Sequence, residues 1–260
     1  MDGGEQLRQI LQQSDYVTIL DIKDAFHHIH VQPNLQQFLG FKFKNKSYTY
    51  LGLSFGRNLS PFFFSKTLAI AIRTIRTRWK IKIYHYMDDI ILIHHSKDTL
   101  KQTTLDEIRF LRNLGLRLSP NKCVLIPKMI FQYQGWQFQT ASMEVTMTPY
   151  RRRKMKNKLK AWIQMTNQRQ IMTTRSLASL IGDINYLRFQ FPQISLWMNS
   201  LNNLKTKAVA KGGWEALVKL NNQILGNLQA ILILIKQNRP RQLKDRTPNT
   251  ILTSDASEDN

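Results

Sequence analysis

A chain of 260 residues, 42% of them hydrophobic, is long enough to bury one large core or two ordinary ones, which excludes a chain that is mainly disordered. Its 38 Lys and Arg against 17 Asp and Glu give a net charge of +21, an excess that points to a phosphate-bearing polyanion, with an anionic membrane as the weaker rival. No long uninterrupted apolar run and no signal-type leader occurs, and the single Cys123 allows neither an internal disulfide nor a cysteine zinc cage, so the chain reads as soluble and intracellular, cytoplasmic or nuclear.

In chain order, Gln6–Gln13 reads as a short helix broken at Ser14-Asp15, and Tyr16–Leu20 as a strand closed by Asp21. Phe38–Phe43 and Ser47–Leu51 alternate as two strands joined by Lys44-Asn45-Lys46, with a loop over Gly52–Leu59. Ser60 as N-cap and Pro61 at the first helical position start a helix to about Trp79, burying Phe64, Leu68, Ala71, Ile72 and Ile75. Phe62 and Phe63 are expected in the same core. Tyr84–Ile93 then reads as a tight hairpin with Asp88-Asp89 at its turn; alternation aims the two carboxylates in opposite directions, and Asp88 is the one expected to share a partner with Asp21.

Lys97–Leu114 is a second helix, capped by Ser96 and stopped by Gly115, and Cys123–Ile126 and Phe131–Phe138 are two further strands. This order gives an α+β, split β-α-β plan, with two helices on one face of an antiparallel sheet and the other face free for substrate. Helices follow from Thr148-Pro149, over Thr174–Phe191 and over Gly213–Ile235.

Charge is uneven along the chain: residues 1–145 carry net +8, residues 146–246 net +16 and residues 247–260 net −3. The middle block therefore reads as the polyanion surface, led by Arg151, Arg152, Arg153 and Lys154. Carboxylates beside such a surface would repel phosphate unless they bind divalent metal, and oxygen ligands suit Mg²⁺ or Mn²⁺. His27, His28, His30, His94 and His95 are read as solvent-facing or supporting groups rather than a zinc site. Tyr133 and Trp136 either pack the sheet or touch nucleic acid.

Asp21-Ile22-Lys23-Asp24-Ala25-Phe26 together with Tyr86-Met87-Asp88-Asp89 resembles the metal-binding motifs of reverse transcriptases, the RNA-directed DNA polymerases of retroelements. The likeness continues through Leu53–Pro61, through Leu114-Gly115-Leu116 to Lys122, through Tyr133-Gln134-Gly135-Trp136, which resembles the primer grip, and through Ser176–Phe191. Thr253–Ser257 looks like the opening strand of a ribonuclease H.

The resemblance implies a right-hand polymerase palm with partial fingers over residues 1–145, a helical thumb or connection over 146–246 and a ribonuclease H start over 247–260. It places the chain within a retrotransposon polyprotein, similar to tyrosine-recombinase (DIRS-like) or long-terminal-repeat elements, lacking most of the N-terminal fingers. Asp21, the Ile22 carbonyl and Asp88 would hold the metals, supported by Asp89. Asp24 and Ala25 would meet the triphosphate, Phe26 would exclude a ribose 2′-hydroxyl, Lys122 would serve the leaving pyrophosphate, and Phe55 and Gly56 would line the floor under the new base pair. Gln134, Gly135 and Trp136 would contact primer. Implied partners are an RNA or DNA template-primer, deoxynucleoside triphosphates and the ribonuclease H of the same polyprotein, with no membrane. The family pattern has Pro where Ser54 stands and an apolar residue where Arg57 stands, which implies altered loop stiffness. An inactive nucleic-acid-binding remnant is the alternative; an RNA-copying RNA polymerase is disfavoured by the aromatic at Phe26.

Overall fold

The computed structural model describes residues 3–244, so the acidic stretch 247–260 and the strand expected near Asp255 lie outside the described residues. Helix α1 (Gly3–Ile10) leads into strand β1 (Tyr16–Asp21), and a short helix α2 (Pro33–Gln36) precedes the hairpin β2 (Gly40–Phe43) and β3 (Lys46–Thr49). Helix α3 (Ser60–Trp79), the hairpin β4 (Lys82–Tyr86) and β5 (Asp89–His94), helix α4 (Lys97–Asn113) and β6 (Val124–Lys128) follow. Then come β7 (Ile130–Tyr133), β8 (Trp136–Gln139), β9 (Glu144–Met147), α5 (Pro149–Asn167), β10 (Met172–Thr173), α6 (Thr174–Tyr186), α7 (Ile194–Gly212), β11 (Leu217–Val218), α8 (Asn222–Gln237) and β12 (Arg241–Gln242).

The first sheet runs β4-β5-β1-β6, with every neighbour antiparallel. Alternation divides its side chains cleanly. Leu20, Ile22, Ile83, Ile90 and Leu92 share a core with Phe64, Leu68 and Ile72 of α3 and with Leu100 and Leu111 of α4. Val17, Ile19, Tyr84, Ile91 and Ile93 point the other way, into a second core with Trp136 and Phe138 of β8, Leu159 of α5 and Leu228 of α8. The face expected to lie open to substrate is therefore covered by the C-terminal part of the chain. Burying ten apolar side chains on one face or the other outweighs leaving half of them wet.

Several elements differ from expectation for local reasons. Phe131–Phe138 is not one strand but the hairpin β7–β8, which with β9 and β12 makes a second sheet of order β12-β9-β8-β7. The helix expected over Gly213–Ile235 begins only at Asn222, because Gly213 sits at φ +72° and the chain first pairs Leu217-Val218 with β10. Helix α7 falls where none was expected; only Ile194, Met198 and Leu201 of it are buried, too few to signal an amphipathic face. Ser60 does not cap α3: its Oγ donates instead to the Ser54 carbonyl at 2.8 Å, closing the loop in front of the helix. Of the three phenylalanines at the start of α3, only Phe64 is buried, while Phe62 and Phe63 are about half exposed.

Buried polar side chains are satisfied within the second sheet and its helices and at the entry to β1. Gln190 is buried, accepts from the Met147 N–H at 3.0 Å and donates to Asn238 Oδ1 and the Arg239 carbonyl, so its burial carries no desolvation debt. Asp15 is likewise buried, paired with Lys82 at 2.9 Å, while its carbonyl accepts from Thr140 Oγ1 at 2.6 Å.

Glu107 is the exception. It lies fully buried on the inner face of α4 with neither carboxylate oxygen hydrogen-bonded. Burial pushes its pKa from 4.5 up to about 8, so between those values the folded protein holds a proton that the unfolded chain releases. Stability should fall as pH rises through that window. Glu107→Gln is expected to remove this slope, melting above wild type at pH 8 and close to it near pH 5, as thermal denaturation at the two pH values will read. A difference in Tm that does not change with pH would refute the assignment.

Candidate active site

The ladder between β1 and β5 places Asp21 directly opposite Asp89, so those two side chains share a face. Asp88 occupies the two-residue turn Met87-Asp88, and the Ile22 N–H donates to its carbonyl at 2.9 Å, clipping the turn to the end of β1. Residues 68 positions apart thus meet at one sheet end, and the carboxylate that the ladder sets beside Asp21 is Asp89, whereas Asp88, expected there, sits in the turn. Met87 holds φ +55°, the sign that the first central position of a tight hairpin turn requires and that a bulky side chain rarely adopts.

The segment that ends at Lys122, with Cys123 after it, wraps the same corner. The Ser119 N–H donates to the Asp21 carbonyl at 2.8 Å, the Lys23 N–H to the Arg117 carbonyl at 2.8 Å, and the Asp21 N–H to Cys123 Sγ at 3.4 Å. Nothing in the spacing of Cys123 marks it; only its adjacency to Lys122 could have pointed there.

Asp21 is 6% exposed: Oδ2 pairs with Lys122 Nζ at 3.2 Å, while Oδ1 is buried without a partner. Asp89 is pushed up to about 6, first by burial and then by the charges of Asp88 and Asp21, and the hydrogen bond to Asp21 pulls Lys122 upward. Three carboxylates crowd a poorly solvated corner with one exposed lysine to answer them. Among the described residues no group of three or more His, Cys, Asp and Glu side chains is arranged to hold a metal ion. The donor set still fits a hard divalent cation that takes one or two carboxylates and completes its shell with substrate oxygens, and the unpartnered Asp21 Oδ1 is where such a charge would be felt.

Beside this corner lies a cleft of about 660 Å³ lined by Ile22, Asp24, Ala25, Phe26, Asp88 and Lys122, among others. Phe55 also lines it, its ring 5.0 Å from that of Phe26, which in turn meets Phe64 edge-on at 6.0 Å. Asp24 is left-handed at φ +50°, turning the chain so that Asp24 and Ala25 border the cleft. Gly56, at φ +86°, belongs to a neighbouring groove rather than to this cleft.

Gln134, Gly135 and Trp136 do not join that cleft. Gln134 and Trp136 line a separate one of about 530 Å³ with Tyr186 and Phe189. Gln134 and Gly135 form the β7–β8 turn, both at positive φ, and a Cβ on Gly135 would lie 2.2 Å from Arg151 Nη1. The Gln134 carbonyl accepts from Arg151 Nη1 at 2.7 Å and from the Tyr186 hydroxyl, and the Arg151 guanidinium lies 3.4 Å from the centre of the Tyr186 ring. Arg152 donates to the carbonyls of Ile235 and Lys236 at the end of α8. Arg151 and Arg152, expected on the polyanion surface, are half-buried and bind the protein's own carbonyls. Trp136 is 1% exposed and stacked on Tyr186 at 5.1 Å, so its side chain packs rather than touches a ligand. Arg153 and Lys154 do face solvent.

Acid-tipped antiparallel strands backed by two helices define a polymerase palm. The family model described as "Reverse transcriptase (RNA-dependent DNA polymerase)" matches residues 2–138, more than half of the chain, and the chain belongs to that family. Relatives include the Transposon Tf2-7 polyprotein of Schizosaccharomyces pombe (strain 972 / ATCC 24843), 25% identical over 256 residues, and the Tf2-3 polyprotein of the same organism, 27% identical over 257 residues. Each match covers 98% of this chain and 17% of the relative, so the chain spans about a sixth of those polyproteins. Among solved structures, the foamy viral protease-reverse transcriptase dRH in complex with double-stranded DNA superposes with a TM-score of 0.68 at 18% identity, covering 91% of this chain and 37% of that one. The foamy viral protease-reverse transcriptase in complex with RNA/DNA hybrid gives 0.66 at 18% identity, covering 88% and 28%. These likenesses establish the fold. Among the described residues no helix is long and apolar enough to cross a membrane.

Proposed function

We propose that this chain carries out template-directed DNA synthesis on RNA or DNA, as part of a retrotransposon polyprotein, using deoxynucleoside triphosphates and Mg²⁺ or Mn²⁺. The observation that carries the reading is the meeting of Asp21 with Asp88 and Asp89 at the lip of the cleft that Asp24, Ala25 and Phe26 line. Asp21, the Ile22 carbonyl and Asp88 would hold the cations, with Asp89 supporting them. Bound there, two such cations would stabilise charge on the attacking and leaving oxygens.

The chain's own groups would do the positioning. Backbone N–H groups at Asp24 and Ala25 would receive the triphosphate, and the Phe26 ring, fixed between Phe55 and Phe64, would abut the sugar. Lys122 would turn from Asp21 toward the departing pyrophosphate. Gln134 and Gly135, in a turn pinned by Arg151 and Tyr186, would guide primer by their backbone, and Arg153 and Lys154 would meet phosphates. In this reading residues 1–145 form palm and residual fingers, residues 146–246 a thumb or connection, and residues 247–260 lead into ribonuclease H.

Primer extension on an RNA template tests the reading. Wild type should extend with deoxynucleotides, and Phe26→Ala should raise ribonucleotide use about tenfold or more, the scale of discrimination a filled pocket supplies. Salt-sensitive binding without any extension would instead favour a nucleic-acid-binding remnant.

A further inference from the structure

The turn that borders the acidic cleft is anchored at both ends. At its start the Lys23 N–H donates to the Arg117 carbonyl, and at its far end the Ile29 carbonyl accepts from the Leu53 N–H at 3.0 Å. Between these anchors the backbone of residues 24–28 bonds mostly to itself: the His27 N–H donates to the Asp24 carbonyl at 2.9 Å and the Ile29 N–H to the Phe26 carbonyl at 3.1 Å. Asp24 reaches Arg117 at 3.9 Å, an ion pair too long and too open to water to fix a backbone.

His28, half-buried, crosses the gap. Its ring meets the Ala25 carbonyl through Nδ1 at 3.2 Å and the Arg117 backbone N–H through Nε2 at 3.1 Å. A backbone N–H can only donate, so Nε2 is the acceptor and bears no proton; the ring proton sits on Nδ1 and is donated to Ala25. One side chain uses its single donor and its single acceptor on two main-chain groups far apart in the chain.

Both groups matter to the cleft. The Ala25 carbonyl belongs to the same rigid peptide as the Phe26 N–H, so holding it sets the plane between a residue that would meet the triphosphate and the ring that would abut the sugar. Arg117 leads to Ser119, which grips the Asp21 carbonyl, and on to Lys122. His28 itself lines a separate cavity of about 620 Å³ rather than the acidic cleft.

We propose that His28 is a positioning residue for the incoming nucleotide: without touching substrate, it holds the Asp24-Ala25-Phe26 turn in register with the acidic corner. The inference rests on the template-copying reading above and adds to it the group that keeps the nucleotide contacts in place. Its contribution is to nucleotide affinity, because the turn it steadies grips the substrate and not the reacting oxygens.

Incorporation of a single deoxynucleotide on a primed RNA template reads affinity and rate apart. His28→Leu keeps the bulk and removes both bonds; KM for the deoxynucleoside triphosphate should rise about tenfold, the scale of one lost net hydrogen bond, with kcat within about twofold of wild type. His28→Gln, whose carboxamide again offers a donor and an acceptor, should return KM to within about threefold of wild type. An unchanged KM in His28→Leu, a fall in kcat without a rise in KM, or a His28→Gln variant no better than His28→Leu would overturn the positioning role. A wild type that extends no primer would overturn the template-copying reading itself, a different result from any of these.

Discussion

Primer extension by Asp88→Ala should fall about a thousandfold or more below wild type, while affinity for template-primer changes little. The substitution removes one carboxylate and nothing from the turn that carries it, because the Asp88 carbonyl, not its side chain, is what the Ile22 N–H grips. What is lost is charge at the point where cations would be held, and several kcal/mol of transition-state stabilisation corresponds to that drop in rate. Affinity is a different quantity: taking a negative charge out of a corner that polyanionic substrate must approach removes repulsion. Extension within about tenfold of wild type would remove Asp88 from the chemistry, and a matched loss of binding would recast it as a structural residue.

Trp136→Ala is expected to produce the largest loss of stability of any single truncation described, about 3 to 5 kcal/mol. Trp136 is 1% exposed, stacks on Tyr186 with planes 5° apart and lies 5.2 Å from Phe189, so it ties β8 to α6 and to the turn that follows. Deleting it leaves a cavity that a close-packed sheet and helix fill poorly. For a chain of this length Tm should drop by roughly 10 °C. Trp136→Phe, which keeps the ring contact, should recover most of the loss. A drop of under about 3 °C for the alanine variant would show that the indole is not the seam between these elements.

The acid corner was legible because it is written locally. Tyr16–Asp21 and Tyr84–Ile93 each announce a strand tipped by carboxylate, and the family resemblance says that the tips meet. The hairpin at Gln134-Gly135 was legible too, in a signal passed over. Apolar residues fall on odd positions at Phe131 and Tyr133 and on even ones at Trp136 and Phe138, and only a two-residue turn moves alternation from one parity to the other while keeping those residues on one face. The roles of Arg151 and Arg152 were not legible. Composition counts a guanidinium as surface charge whether it meets solvent or, as here, the carbonyls at the β7–β8 turn and at the end of α8. The covered second face of the first sheet was hidden for a related reason: Val17, Ile19, Ile91 and Ile93 say that both faces are apolar, but what covers them lies far along the chain, in Leu159 and Leu228.

That shared core makes the two parts of the chain a single heritable unit. A crossover near residue 145 that joined this palm to a divergent helical part would have to match Val17, Ile19, Tyr84, Ile91 and Ile93 to foreign side chains of equal shape. Exchange within the family should therefore be tolerated at loop tips such as Lys44-Asn45, and selected against at the border where charge alone would draw a boundary.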